Sequence, residues 1–443
     1  MIASLHRHTS PSVSKRGLTA FVCASLAFGS AVGCSSDKSL GAEPSTGGAS
    51  SPAGNGGASA AGQGNTGGLG GSTGGGGSPA SGGMVATGGD ATSGGRGGSA
   101  HGGEVGSSGG PTAGAAGETS EPAVHYVGRV DTNDPTVAMF AWSGTGAIVR
   151  FTGTSASVDL RGKQEYTVVV DGTVQPKLVA TDGVNKLAQG LTPGEHTVEL
   201  YRRTEASQGE SEIRGFDFGG GQLLAPRAVT RRLEFIGDSI TCGYGDEGAN
   251  ASCGFTPQTE NHYLSYAAIT ARNLEAELST VAWSGKGVVC NYGDDANSCT
   301  DPMPTYYDRI LPGRANSTWD FSRFQPDAVV INLGTNDLST NTDPDQATFE
   351  SGYKALLVRV RHAYPSARIL CTNGPMLSGT DLSNVRTYIG DVVKNLGDSN
   401  VSTFEIPPQD GSDGYGCDSH PSLERHKKVA TVVTTALKAA LGW

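Results

Sequence analysis

The chain has 443 residues, a formal charge of −11, and only 36% of its residues in the hydrophobic class. That length allows two or three domains, but apolar content this far below the globular norm leaves part of the chain without a core of its own. With an acidic balance and no extended basic cluster after the first sixteen residues, nucleic acid is not an expected partner.

Residues 1–34 read as an export signal. Arg7, Lys15 and Arg16 precede an apolar run from Leu18 to Phe28 that is too short to span a bilayer comfortably. The run ends at Gly-Ser-Ala-Val-Gly-Cys34, which resembles the cleavage box of bacterial lipoproteins, although Ala31 stands where that box usually has Leu. The resemblance implies a lipid on Cys34 and attachment to the cell envelope, at the outer membrane or cell surface. The alternative is an ordinary small-residue cleavage site with Cys34 as a bystander. Residues 35–122 are rich in Gly, Ser, Ala and Thr without hydrophobic periodicity, as in Gly70-Gly-Ser-Thr-Gly-Gly-Gly-Gly77. Such a stretch buries too little apolar surface to offset its ordering entropy and is expected to be a flexible tether.

Residues 123–226 carry short β-rich runs at Ala147–Phe151, Ser155–Leu160, Tyr166–Val170 and His196–Leu200, with no helical pattern between them. Thr167-Val-Val-Val-Asp171-Gly172 ends in Asp-Gly, a strong hairpin signal, so a β-sandwich is predicted. From residue 227 to 443 the pattern alternates. Strands are predicted at Arg232–Ile236, Leu278–Trp283, Asp327–Leu333, Ala367–Thr372 and Val401–Ile406. Helices are predicted at His262–Glu277, Pro344–Ala363, Leu382–Leu396 and Ser422–Leu441, the second starting from Asp343 with Pro344 at its first position. The run from Asp327 to Leu333 is apolar on both faces, as a central parallel strand covered by helices on each side requires. The expected fold is a doubly wound α/β domain, with its site beyond the C-terminal ends of the strands.

Six cysteines follow the signal, and an even number in an exported chain points to disulfides, although six allow fifteen pairings. Cys242–Cys253 and Cys290–Cys299 are expected as local clips, leaving Cys371–Cys417. No metal-ligand spacing occurs, so a zinc mechanism has little support and no cofactor is expected.

Three strand ends break into small polar clusters: Gly237-Asp-Ser-Ile-Thr241, Ser284-Gly-Lys-Gly287 and Gly334-Thr-Asn-Asp337. A fourth, Cys417-Asp-Ser-His-Pro421, opens the last helix. A hydrolase acting through serine needs a base for the hydroxyl proton and donors for the oxyanion, and these loops hold all of them. In order and character they resemble the four blocks of the SGNH, or GDSL, hydrolases over residues 231–443. Ser239 does not sit in a Gly-x-Ser-x-Gly elbow, which argues against the commoner lipase fold. The resemblance implies Ser239 as nucleophile, His420 as base, and an oxyanion hole formed by the Ser239 N–H, the Gly285 N–H and the Asn336 amide. Tyr126-Val-Gly-Arg129, Ala141-Trp-Ser-Gly144 and Val149-Arg-Phe-Thr-Gly153 are similar to the jelly-roll domain of carbohydrate esterase family two. That similarity implies acetyl-ester hydrolysis on xylan, glucomannan or a related carbohydrate, by a chain expected to be monomeric.

The chain departs from the wider family at one point. The acid of the triad usually lies three residues before the histidine, and here that residue is Cys417. Either Asp418 reaches the imidazole through a bend in the loop, or a backbone carbonyl holds the ring N–H. Asp238 and Asp337 read as structural strand-end residues. His262, His362 and His426 read as surface or boundary residues of helices. Trp142, Trp283, Tyr244, Tyr292 and Tyr306 are candidates for a sugar platform or for the core. Two rivals stay open: an envelope esterase acting on cell-wall glycan or lipid, and a catalytically silent glycan-binding lipoprotein.

Overall fold

The computed structural model describes residue 121, residues 123–340 and residues 342–443, so the predicted signal, Cys34 and the tether up to residue 120 lie outside it. All described residues belong to one compact unit.

The first part is an eight-stranded antiparallel β domain: β1 (His125–Val127), β2 (Ala138–Phe140), β3 (Gly146–Arg161), β4 (Glu165–Val170), β5 (Thr173–Val174), β6 (Leu178–Val179), β7 (Gly183–Arg202) and β8 (Ser211–Asp217). The main path runs β2-β8-β3-β7-β4-β5, with β1 paired to β3 and β6 to β4. The two runs predicted at Ala147–Phe151 and Ser155–Leu160 are one long strand, β3, continuous across register shifts near Gly153 and Ala156. Shifts of this kind bend a strand, and both halves of β3 feed one core through Val149, Phe151, Val158 and Leu160. The Asp-Gly signal is realised as the β4–β5 hairpin, with φ of 48° at Asp171 and 77° at Gly172.

The second part comprises β9 (Arg232–Gly237), α1 (Ser239–Cys242), α2 (Tyr266–Asn273), β10 (Glu277–Ala282), β11 (Ala328–Asn332), α3 (Gln346–Ala363), β12 (Arg368–Thr372), α4 (Gly379–Leu396), β13 (Val401–Thr403) and α5 (Leu423–Leu441). The five strands are parallel in the order β10-β9-β11-β12-β13. Val329 and Ile331 of β11 pack with Phe349, Leu357 and Val385 of α3 and α4. Val330, between them, packs with Ala267 and Val433 of α2 and α5. All five predicted strands and the doubly wound arrangement are present.

Three helix starts differ from expectation by two residues or more, and one of them is α4, which begins at Gly379 and not Leu382. Asp345, not Asp343, caps α3, because its side chain accepts the Thr348 N–H at 2.8 Å. The predicted helix from His262 divides at Ser265, which caps α2 after a single 3-10 turn. His262 and His426 are buried, not boundary residues. His262 Nε2 bonds Thr280 Oγ1 at 3.0 Å and His426 Nδ1 accepts the Tyr266 N–H at 3.1 Å. Burial pushes both imidazoles down to about 3. His362 is exposed.

Two of the three expected disulfides are replaced. Cys290–Cys299 forms, but Cys253 pairs with Cys417, and Cys242 and Cys371 are free. Cys242 ends a helix that was not predicted, which turns its thiol into the interior beside Glu205. Cys371 lies on β12, fully buried beside Tyr353, and burial pushes its thiol up to about 12.

A buried charge joins the two parts. Arg129, from the loop after β1, donates to Glu234 of β9 at 3.2 Å, and the same carboxylate accepts Tyr307 at 3.0 Å, Tyr364 at 2.9 Å and Ser279 at 3.2 Å. Neither Arg129 nor Glu234 is exposed to solvent. Charges so placed need this degree of pairing to offset their lost hydration.

Candidate active site

β9 delivers Ser239 to the first position of α1. Gly237 ends the strand, where a side chain would collide with Thr241 and crowd the Asn332 carbonyl. Asp238 caps α1 by accepting the Ile240 N–H at 3.0 Å, so it is a strand-end support as expected. Burial, with Asp337 nearby, raises its carboxyl to about 7. Asp337 accepts the N–H groups of Val288, Val289 and Cys290 and anchors the loop after β10.

His420 approaches from the loop before α5, and its Nε2 lies 2.8 Å from Ser239 Oγ. A carbonyl only accepts, so Nδ1 is the protonated nitrogen: it donates to the Cys417 carbonyl at 3.2 Å. Nε2 is then free to accept the serine proton. Two left-handed residues, Asp418 at φ 51° and Ser419 at φ 61°, fold the loop back so that this carbonyl meets the ring. Asp418 does not hold the imidazole. Its carboxylate faces outward and accepts Tyr244 OH at 2.7 Å and the Phe255 N–H at 3.1 Å. Tyr244 in turn stacks on His420, with ring centroids 4.0 Å apart. Desolvation lowers the His420 imidazole to about 4, although its backbone contacts and Asp418 pull the other way.

The Cys253–Cys417 disulfide fastens this loop to the segment after α1, supported by the Asp418 N–H donating to the Cys253 carbonyl at 2.8 Å. The residue standing where the family's acid is expected thus ties down the carbonyl that orients the histidine.

The three expected oxyanion donors come from three loops: Ser239 itself after β9, Gly285 after β10 and Asn336 after β11. The Ser239 N–H is in the first turn of α1, where a helix offers no internal acceptor. Gly285 has a φ of 77°, a conformation that favours glycine. The Asn336 amide donates to the Lys286 carbonyl at 3.0 Å and more weakly to Asp238 at 3.3 Å.

Family comparisons divide the chain at the same place as the fold. Residues 126–226 match the model for the carbohydrate esterase 2 N-terminal domain, and residues 235–427 match the GDSL-like lipase/acylhydrolase family. A family-two carbohydrate esterase from Clostridium thermocellum, solved in complex with cellohexaose, superposes with a TM-score of 0.69 at 45% identity, covering 72% of this chain and all of that one. The chain belongs to carbohydrate esterase family 2. The cellulase/esterase CelE of Acetivibrio thermocellus is 46% identical over 337 residues, 74% of this chain, which spans only 40% of that protein's length. An acetylxylan esterase/glucomannan deacetylase of Cellvibrio japonicus is 28% identical over 73% of this chain and 90% of its own length.

Around the dyad of this family-2 esterase, the suggested aromatic platform separates into different roles. Trp142 is core, and its indole donates to the Arg309 carbonyl at 3.2 Å. Trp283 and Tyr306 lie with centroids 4.9 Å apart beneath Lys286, beside Gly285. Tyr292 is exposed, and its N–H donates to the Gly285 carbonyl at 2.8 Å. Tyr244 belongs to the histidine. A separate cavity lined by Tyr201, Tyr263 and Arg272 opens beside Glu277, at the start of β10 and so at the opposite end of that strand from Gly285. Sequence reasoning missed the Tyr244–Asp418 clamp, although Cys417 in the acid's place signalled that the histidine is held differently here.

Proposed function

We propose that this chain is an exported serine esterase, lipid-anchored through Cys34, that removes acetyl groups from carbohydrate. The observation that carries the mechanism is the 2.8 Å contact between Ser239 Oγ and His420 Nε2, with Nδ1 committed to a carbonyl. Ser239 attacks the acetyl carbonyl as Nε2 takes its proton, and the carbonyl π pair moves to the oxygen. Collapse of this tetrahedral adduct expels the sugar oxygen, which receives the proton from His420. Water then attacks the acetyl-serine with His420 again as base, releasing acetate. The oxyanion is met by the Ser239 and Gly285 N–H groups. Asn336 joins them by giving up its weak bond to Asp238.

Acetylated xylan or glucomannan is the proposed substrate class, by similarity to the Cellvibrio enzyme. The cellohexaose complex of the Clostridium enzyme favours a second ligand for this chain, a β-linked glucan chain. Acetate release from acetylated xylan and from an aryl acetate tests the activity. Wild-type protein is expected to release it and Ser239→Ala is not, and an active Ser239→Ala variant overturns the mechanism. Cellohexaose is expected to inhibit competitively; activity indifferent to it removes the second ligand. Incorporation of labelled lipid that Cys34→Ser abolishes tests the anchor.

A further inference from the structure

Gly285 sits third in a four-residue turn closed by the Lys286 N–H donating to the Trp283 carbonyl at 3.3 Å. Its φ of 77° is the value a type II turn requires at that position. The central peptide of such a turn, whose N–H is that of Gly285, faces the opposite way from its counterpart in a type I turn. The direction of this oxyanion donor therefore depends on what holds the turn. Three supports come from the catalytic domain itself: the Tyr292 N–H on the Gly285 carbonyl at 2.8 Å, the Asn336 amide on the Lys286 carbonyl at 3.0 Å and the Trp283 N–H on the Gly237 carbonyl at 3.3 Å. A fourth comes from the β domain: the Ser284 N–H donates to Glu205 Oε2 at 2.7 Å.

Glu205 follows β7, is buried, and is fixed from every side. Its other oxygen accepts the Ser207 hydroxyl at 2.5 Å, and its own N–H donates to the Glu260 carboxyl at 3.2 Å. Its carbonyl accepts Nη2 of the buried Arg202 at 2.8 Å. Ligand atoms of Glu205, Cys242 and Glu260 lie within 4.8 Å of one another, an arrangement that also resembles a cation site. Both Glu205 oxygens are already taken by donors, however, so the group is a hydrogen-bond hub.

We propose that Glu205 is a positioning residue for ester hydrolysis: by pinning the Ser284 N–H, the β domain holds the turn that aims the Gly285 N–H at the oxyanion. This rests on the serine-esterase mechanism above. Because the oxyanion forms only on the way to the transition state, misaiming its donor lowers kcat and leaves KM nearly unchanged.

Three variants test it on an aryl acetate, with thermal melting to establish folding. Glu205→Gln keeps an acceptor oxygen at the same reach, and its kcat is expected to stay within about threefold of wild type. Glu205→Met keeps the volume but has no acceptor, and Glu205→Asp keeps the charge but withdraws it by one methylene. Both are expected to lose about 10- to 100-fold in kcat, less than removal of an oxyanion donor outright. Should Glu205→Met fail to fold, the contrast between Asp and Gln decides. The proposal is overturned if Met and Asp keep wild-type kcat, or if Gln falls as far as they do. If wild-type protein itself releases no acetate, the esterase mechanism fails, which is a different result from either.

Discussion

Breaking the Cys253–Cys417 bond by Cys253→Ser should damage stability and turnover together, for separate reasons. The bond closes a loop with a sequence separation of 164, whereas Cys290–Cys299 closes one of 9. In the chain-entropy model the long loop is worth about 5 kcal/mol and the short one about 3 kcal/mol. With an unfolding entropy of about 2.1 cal/mol/K per residue over the roughly 320 described residues, each kcal/mol is worth about 1.5 °C, so the long clip's loss lowers the melting midpoint by about 7–8 °C. Turnover falls because the Cys417 carbonyl, which holds Nδ1 of His420 at 3.2 Å, loses its tether. Leaving the imidazole with the wrong tautomer costs a serine protease about 10⁴ in kcat. Here the carbonyl is loosened and not removed, so a loss of about 10- to 100-fold is expected. The assay is aryl acetate hydrolysis well below the variant's melting midpoint. Full kcat in folded Cys253→Ser would refute the assignment of the carbonyl as the group that orients His420.

Asp418→Asn should lower kcat by less than about tenfold, because the side chain braces Tyr244 and not the imidazole; a loss near 10⁴ would restore Asp418 as a triad acid. The pH profile of kcat/KM should stay level down to about pH 5 and fall as the pH drops through about 4, where His420 protonates and ceases to be a base. Running the profile on Asp238→Asn as well separates any limb near pH 7 that belongs to that carboxyl, and an acid limb near 6.5 in both proteins refutes the role given to burial. Arg129→Met strands the Glu234 carboxylate and should cost about 3–5 kcal/mol in urea unfolding, whereas Arg129→Met with Glu234→Gln should recover much of that loss. Equal losses in the two proteins would show that the pair is not coupled.

Periodicity carried most of the fold. The apolar run from Asp327 to Leu333 announced a strand covered on both faces, and the change from short β-rich runs to alternating strands and helices near residue 227 marked the second domain. Ser239 and His420 were legible because each stands in a small polar cluster at an element's end, where a catalytic group is expected. What was not legible depended on contacts across the sequence or on short irregular segments. A helix of four residues has no periodicity to detect, so Cys242 looked like a loop cysteine. The left-handed kink at Asp418 and Ser419 has no glycine to signal it, and it decided between the carbonyl and the carboxylate as the partner of His420. Glu205 and Arg129 look like ordinary charged residues of a β domain until folding brings them against Ser284 and Glu234.

The Arg129–Glu234 pair also bears on how this chain could be cut or recombined. Glu234 lies on β9, which leads through Asp238 to Ser239, so a catalytic domain expressed from residue 227 would keep the carboxylate and lose Arg129, the buried cation paired with it. Swapping in a β domain from an unrelated protein would do the same unless the incoming domain brought an arginine to that spot. The smallest portable unit for building chimaeric esterases is therefore the pair of domains from about residue 123 onward. A glycan-binding module is better appended outside that pair than substituted within it.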